Sequence, residues 1–117
     1  MAKRRDDVDQ HLPLGTVEFM ILAALHSSQL HGYAISQAVA GQTAGKVKLR
    51  PGNLYRVLDR FLERRLIEVA DRRPPRAQDD ERRTYYRLTG LGRRVVAAHA
   101  DLLAGVVAQV KLAPEGA

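Results

Sequence analysis

From Leu54 to Leu62 the apolar residues fall at Leu54, Val57, Leu58, Phe61 and Leu62. This is the i, i+3, i+4, i+7, i+8 spacing of a helix with one face on a core. The polar positions, Asn53, Tyr55, Arg56, Asp59, Arg60 and Arg64, gather on the opposite face. Pro51 suits the first turn, where its missing N–H costs nothing. Upstream the same period predicts a helix from about Pro13 to Leu25, with Val17, Met20, Ile21, Ala24 and Leu25 on one face, broken by Ser27-Ser28-Gln29. A second helix is predicted from Tyr33 to Val39 and a little beyond, with Ile35, Ala38 and Val39 inward. Gly41 and Gly45 mark its end. Val47-Lys48-Leu49 reads as extended chain.

After Leu66 the period drops from about 3.6 to 2. Ile67-Glu68-Val69 alternates, as does Tyr86-Arg87-Leu88 after Tyr85, and the two runs read as the strands of a hairpin. The connecting segment, Asp71 to Arg83, holds Pro74, Pro75, five Arg and four acids, too polar to pack, and is expected to project as a mobile wing. Thr89 caps a long final helix reaching about Leu112. The expected architecture is mainly α with a β-hairpin: a winged helix-turn-helix over residues 12–89 and a C-terminal dimerisation helix over 90–112. A flexible arm over 1–11 and a tail over 113–117 flank them.

Charge sharpens this outline. Lys46 to Arg65 carries seven Lys/Arg (46, 48, 50, 56, 60, 64, 65) against two acids (59, 63), so +5 of the formal +6 lies there. A helix with one face for a core and one for anions suits a DNA major groove. Asn53 and Arg56, near the helix start, are expected to reach base edges, since Arg can bridge guanine O6 and N7 and Asn can pair with adenine. Tyr55 offers a hydroxyl to phosphate, and Arg60 joins the contact face. Lys46, Lys48 and Arg50 precede the helix and are expected on phosphates, whereas Arg64 and Arg65 face solvent. In the wing, Arg82 or Arg83 is expected on the DNA backbone, with the acidic stretch Asp79 to Glu81 held clear.

Composition excludes other chemistries. The 117 residues suffice for one domain with a modest core, built from Leu, Val, Ala and Ile because aromatics are few. There is no cysteine, hence no disulfide framework, thiol nucleophile or Cys-based zinc site. The four histidines (11, 26, 31, 99) lack metal-ligand spacing, and neither a paired base and nucleophile nor a phosphate-cradling glycine loop occurs. No catalytic residue, metal or cofactor is therefore expected. His31-Gly32-Tyr33 reads as structural, with His31 capping, Gly32 admitting a close helix and Tyr33 packing. Of Tyr85 and Tyr86, one ring is expected in and one out. The apolar runs fall far short of the ~20 residues that cross a bilayer, and Met1 to Gln10 lacks the apolar core of a signal peptide. The chain reads as cytoplasmic, with no membrane partner.

The last helix is apolar over too wide an arc. Val95, Ala98, Leu102 and Val106 form one stripe, and Val96, Leu103, Val107 and Val110 another. If one covers the domain, the other needs a partner. A homodimer is the economical answer, with Val96, Leu102, Leu103, Val106, Val107 and Val110 at its interface.

Four motifs also resemble the PadR-type transcriptional regulators. They are Leu30-His31-Gly32-Tyr33-Ala34-Ile35, Pro51-Gly52-Asn53-Leu54-Tyr55-Arg56-Val57-Leu58, Leu62-Glu63-Arg64-Arg65-Leu66-Ile67-Glu68 and Tyr85-Tyr86-Arg87-Leu88-Thr89-Gly90-Leu91-Gly92. The likeness runs over about residues 12 to 95, and the short helix after the wing is similar to the family's smaller size class. It implies a dimeric winged helix-turn-helix repressor, open to release from a palindromic operator by a small-molecule, often aromatic, effector. Two departures stand out. Arg65 occupies a place where the family usually has Gly, which suits a left-handed helix cap. No aromatic follows Tyr86, although members that stack flat ligands at the dimer interface use aromatics there. The sequence thus reads as a DNA-binding regulator with double-stranded DNA and itself as partners. The rival readings are a winged-helix protein- or membrane-interaction module without sequence-specific DNA binding, and a small enzyme built on His31 and the tyrosines.

Overall fold

A computed structural model of the chain describes residues 7–70 and 83–112. In order the elements are α1 (Thr16–Ser27), β1 (Leu30–His31), α2 (Gly32–Gln42), α3 (Pro51–Glu63), β2 (Ile67–Val69), β3 (Tyr85–Leu88) and α4 (Gly90–Leu112). This is the expected winged helix followed by a long helix, with one strand the periodicity did not show. The sheet order is β1-β3-β2, all antiparallel. β3 is central, pairing Ile67 with Leu88 and Val69 with Tyr86 on one side, and Leu30 with Tyr86 on the other. A two-residue strand is too short to produce a period.

The helix starts follow local chemistry. α1 begins at Thr16 rather than Pro13, because the Gly15 N–H donates to Glu18 Oε1 at 2.8 Å and closes the first turn there. In α2 the His31 ring caps as expected, its Nδ1 accepting from the Ala34 N–H at 3.2 Å. α2 runs on to Gln42, and Thr43 then ties the turn by donating to the Val39 carbonyl and accepting from the Val47 N–H. The end of α3 answers the question posed by Arg65. It adopts φ 61°, the left-handed region, while Leu66 N–H donates to the Phe61 carbonyl and Arg65 N–H to Leu62. That is a Schellman ending built on arginine. At α4, Thr89 Oγ1 accepts from the Gly92 N–H at 2.9 Å and donates to the Arg65 carbonyl at 2.6 Å.

Ile21, Leu22 and Leu25 from α1, Ile35 and Val39 from α2, and Leu54, Leu58 and Phe61 from α3 make the centre of the core. Leu66, Ile67, Leu88 and Val95 close it. Leu22 joins a core face where Val17 was expected; Val17 stands on the exposed side. Both tyrosines of β3 are buried, which corrects the one-in, one-out expectation. Tyr86 enters the core, and Tyr85 on the other face is covered by the His31 ring, edge-on at 5.2 Å. Tyr33, expected to pack, is 62% exposed.

Residues 7–9 form a helical turn, and Val8 and Leu12 rest on the core, so the flexible arm expected over 1–11 is corrected for residues 7–11. Burial lowers the pKa of His11, with Arg64 nearby acting in the same direction. Leu14 is fastened further, its N–H donating to Nδ1 of the buried His99 on α4 at 3.2 Å. The His99 ring also lies 4.7 Å from that of Phe19.

α4 departs most from expectation. At 23 residues it has the length and apolar composition that crossing a bilayer takes, although no long uninterrupted apolar run announced it. Its two stripes do not divide the labour around the helix. The division is along it: Gly92, Val95, Val96 and His99 are buried in the domain, and from residue 100 to 112 every residue but Leu103 is exposed. Val96 therefore belongs to the protomer's own core, which corrects its assignment to a dimer interface. Leu103 is half-buried, while Leu102, Val106, Val107 and Val110 are exposed, Val110 at 71%. The domain is simply shorter than the helix.

Candidate nucleic-acid interface

α3 takes its position from its apolar face. Leu54, Leu58 and Phe61 are buried and Val57 and Leu62 half-buried, which turns Asn53, Tyr55, Arg56, Asp59 and Arg60 outward. Lys46, Lys48 and Arg50 are exposed on the chain entering the helix, and Val47 and Leu49 point the other way, half-buried. Among the described residues, none of these five cations is in an ion pair. Arg50, the N-cap, makes no capping bond with its side chain, and Pro51 contributes no N–H. The positive end of α3 is thus left open to anions beside Asn53.

Tyr55 is 46% exposed, and its hydroxyl end abuts the backbone of Gly32 at the start of α2. A Cβ at Gly32 would overlap that ring, so this glycine sets how closely α2 and α3 approach. A shallow cleft between the helices is lined by Tyr33, Ser36, Pro51 and Tyr55. Tyr33, assigned to packing in the sequence, therefore sits on the exposed face beside Tyr55, with its hydroxyl accepting from Gln37. The helical period already sets Tyr55 on the polar face, whereas no sequence signal separates Tyr33 from a core tyrosine. Beneath α3, burial raises the pKa of Tyr86, with further upward contributions from Tyr55 and Asp59.

At the root of the wing Arg83 lies against His31, Nη1 to Nε2 at 3.0 Å, on the same side as Tyr33 and Tyr55. The remainder of the expected wing, residues 71–82 with Arg82, lies outside the described residues. Across the strands, Arg87 is paired with Glu68 at 2.7 Å and is engaged within the sheet. The structure thus brings Lys46, Lys48, Arg50, Asn53, Tyr55, Arg56 and Arg60 onto the exposed surface of α3 and its approach, and sets Arg83 at the edge.

The sequence model of the Transcriptional regulator PadR-like family matches residues 21–98. The chain belongs to the PadR-like family of transcriptional regulators. The match runs from Ile21, midway along α1, into the buried half of α4. This PadR-like chain is also 30% identical, over 81 residues, to Uncharacterized protein X of Lysinibacillus sphaericus, covering 68% of this chain and 70% of that one. Among solved structures, the fold is similar to a PadR-like transcriptional regulator from Bacillus cereus, at TM-score 0.66 and 21% identity, covering 90% of this chain and 99% of that one. It is similar also to Bacillus subtilis PadR in complex with operator DNA, at TM-score 0.57 and 21% identity, covering 78% of this chain and 48% of that one.

Proposed function

We propose that this PadR-like protein is a homodimeric repressor that reads a palindromic operator. The observation that carries it is the exposed face of α3, with Asn53, Tyr55, Arg56 and Arg60 outward and Lys46, Lys48 and Arg50 unpaired beside it. Asn53 and Arg56 read base edges, Tyr55, Arg60, Lys46, Lys48 and Arg50 hold phosphates, and the wing arginines Arg82 and Arg83 flank the contact. The complex of the Bacillus subtilis relative with operator DNA supports this assignment of the fold. Repression is steric, an occupied operator excluding polymerase, and the protein acts in the cytoplasm where its DNA lies.

The projecting half of α4 supports the homodimer. Leu102, Val106, Val107 and Val110 are exposed together and need cover. A second copy supplies it symmetrically and sets two recognition helices one DNA turn, ~34–36 Å, apart. A membrane is the poorer cover. From residue 100 to 112 the free helix is ~20 Å long at 1.5 Å per residue, against a hydrocarbon core of ~30 Å. An effector acts by altering the spacing of the two recognition helices, so that the half-sites fit worse.

The test is gel-shift binding to the DNA upstream of the protein's own gene, against scrambled DNA, across a salt series. A dimer making ~6–10 phosphate contacts loses roughly 10³–10⁵ in affinity between about 50 and 200 mM salt. Retained preference for a palindromic fragment at the higher salt is the expected result. Equal binding to both fragments, and no site enriched from random DNA, overturns the reading.

A further inference from the structure

Behind the entry to α3 lies a half-open cavity of about 330 Å³. Val17 and Ile21 of α1, Val47 and Leu49 of the extended chain, and Leu54 and Val57 of α3 form its apolar walls. Lys48, Arg50 and Asn53 complete the lining. The volume falls at the small end of ligand pockets, ~300–1,000 Å³, and the composition follows their usual form of apolar walls with a few polar groups. Both charged groups are cations, and no acid lines it.

We propose that this cavity binds a small amphipathic carboxylate, its tail among Val17, Ile21 and Val57 and its head on Lys48 and Arg50. Three observations select this class. Two unpaired cations favour a single compact anion over a neutral or cationic head group. The apolar walls exclude a free inorganic anion as the preferred occupant, because it would leave them wet. Asn53 adds an amide donor at the positive end of α3, where Pro51 has no N–H and Arg50 gives no side-chain cap.

The position gives the ligand a consequence that rests on the operator reading above and is a second route, separate from a change in the spacing of the recognition helices. Lys48, Arg50 and Asn53 are the residues assigned there to DNA. A carboxylate on them takes the place of a phosphate, and an apolar tail beneath Val57 fills the space behind the reading helix. Ligand and operator are then mutually exclusive, each weakening the other by the same factor. This competition needs no aromatic residue in the last helix.

The test uses sodium octanoate as the probe and the full chain. Isotope-edited NMR of the DNA-free protein should show saturable shifts of Val17, Val47, Leu49 and Val57. Octan-1-ol, which lacks the charge, should bind about fivefold more weakly, the size expected of a partly solvated ion pair. Val17→Trp places an indole in the mouth and should abolish the octanoate shifts. Val17 is on the exposed side of α1, so the variant should keep the wild-type melting curve and its affinity for the palindromic fragment. Octanoate should release that fragment from the wild type and leave it bound to Val17→Trp. Absence of saturable shifts at these residues, octanol binding as tightly as octanoate, or equal octanoate binding by a folded Val17→Trp protein overturns the site. Saturable binding with no operator bound by either protein upholds the site and overturns the operator reading instead.

Discussion

Gly92 offers the sharpest test of how α4 is seated. A Cβ built there would meet the carbonyl oxygen and carbon of Leu66, backbone atoms at the corner between α3 and β2. Backbone cannot rotate away as a side-chain tip can, so Gly92→Ala must lift α4 off that corner. Overpacking of this kind costs ~1–3 kcal/mol. The lift also strains the Thr89 N–H bond to the Leu66 carbonyl, 3.0 Å long, for another ~0.5–1.5 kcal/mol. Against this stands the helix preference of Ala over Gly, up to ~1 kcal/mol. The net expectation is a loss of about 2 kcal/mol. At roughly 4 °C per kcal/mol for a chain of this size, Tm falls by about 8 °C. The assay is thermal unfolding by far-ultraviolet circular dichroism at one fixed protein concentration, since the proposed dimer would make Tm depend on concentration. Gly41→Ala serves as control. It lies in α2 with nothing within 4 Å of its added Cβ, so helix preference acts alone and Tm rises. A Gly92→Ala protein that melts at or above the wild type refutes the close seat of α4 on Leu66.

Three further outcomes are expected. Arg56→Ala should cost about 1–3 kcal/mol of operator affinity and relax base preference while leaving the dimer intact; an unchanged consensus in selection from random DNA removes Arg56 from base reading. Arg65→Gly relieves a left-handed arginine and should raise stability by roughly 0.5–1 kcal/mol in chemical denaturation, net of the extra freedom Gly brings to the unfolded chain; a loss would show that the Arg65 side chain makes a stronger contact than the strain it bears. Val107→Asp, on the exposed end of α4, should give a folded monomer by light scattering and lose cooperative binding to a two-half-site fragment; a variant that remains dimeric places the interface elsewhere.

The parts of this fold that were legible in sequence are those with a repeating pattern. The stripe Leu54–Leu58–Phe61 locates α3 and its outward cations, and the alternation Ile67–Glu68–Val69 locates β2. Single contacts carried the rest. β1 is two residues long and exists because β3 has a second edge to pair, which no period announces. The burial of Tyr85 follows from His31, far away in sequence, and the close approach of α2 and α3 from the contact of Gly32 with Tyr55. Along α4 the pattern gave an apolar helix, but how far the domain reaches along it is a tertiary fact, and this moved Val96 into the core. Likewise, the cavity behind α3 is made by residues from three segments, each of which reads in sequence as ordinary core or ordinary surface charge.

The central place of β3 has a consequence for how such a protein can respond to a signal. Through β3 the strand that opens α2 and the strand that follows α3 are bonded into one block, with Tyr86 paired to Leu30 and to Val69 at once. β1, β2 and β3 cannot shift relative to one another without breaking strand pairing, and the end of α3 is tied to β2 by the turn at Arg65 and Leu66. Adjustment is left to the joint between this block and the free end of α4. In the proposed homodimer, a head carried ~20 Å from the helix pair would swing by roughly 2 Å for a tilt of about 5°, against a base-pair rise of 3.4 Å. On the homodimer reading proposed above, each head would be stiff, and fine control of operator fit would reside in the angle at which two such heads are hung.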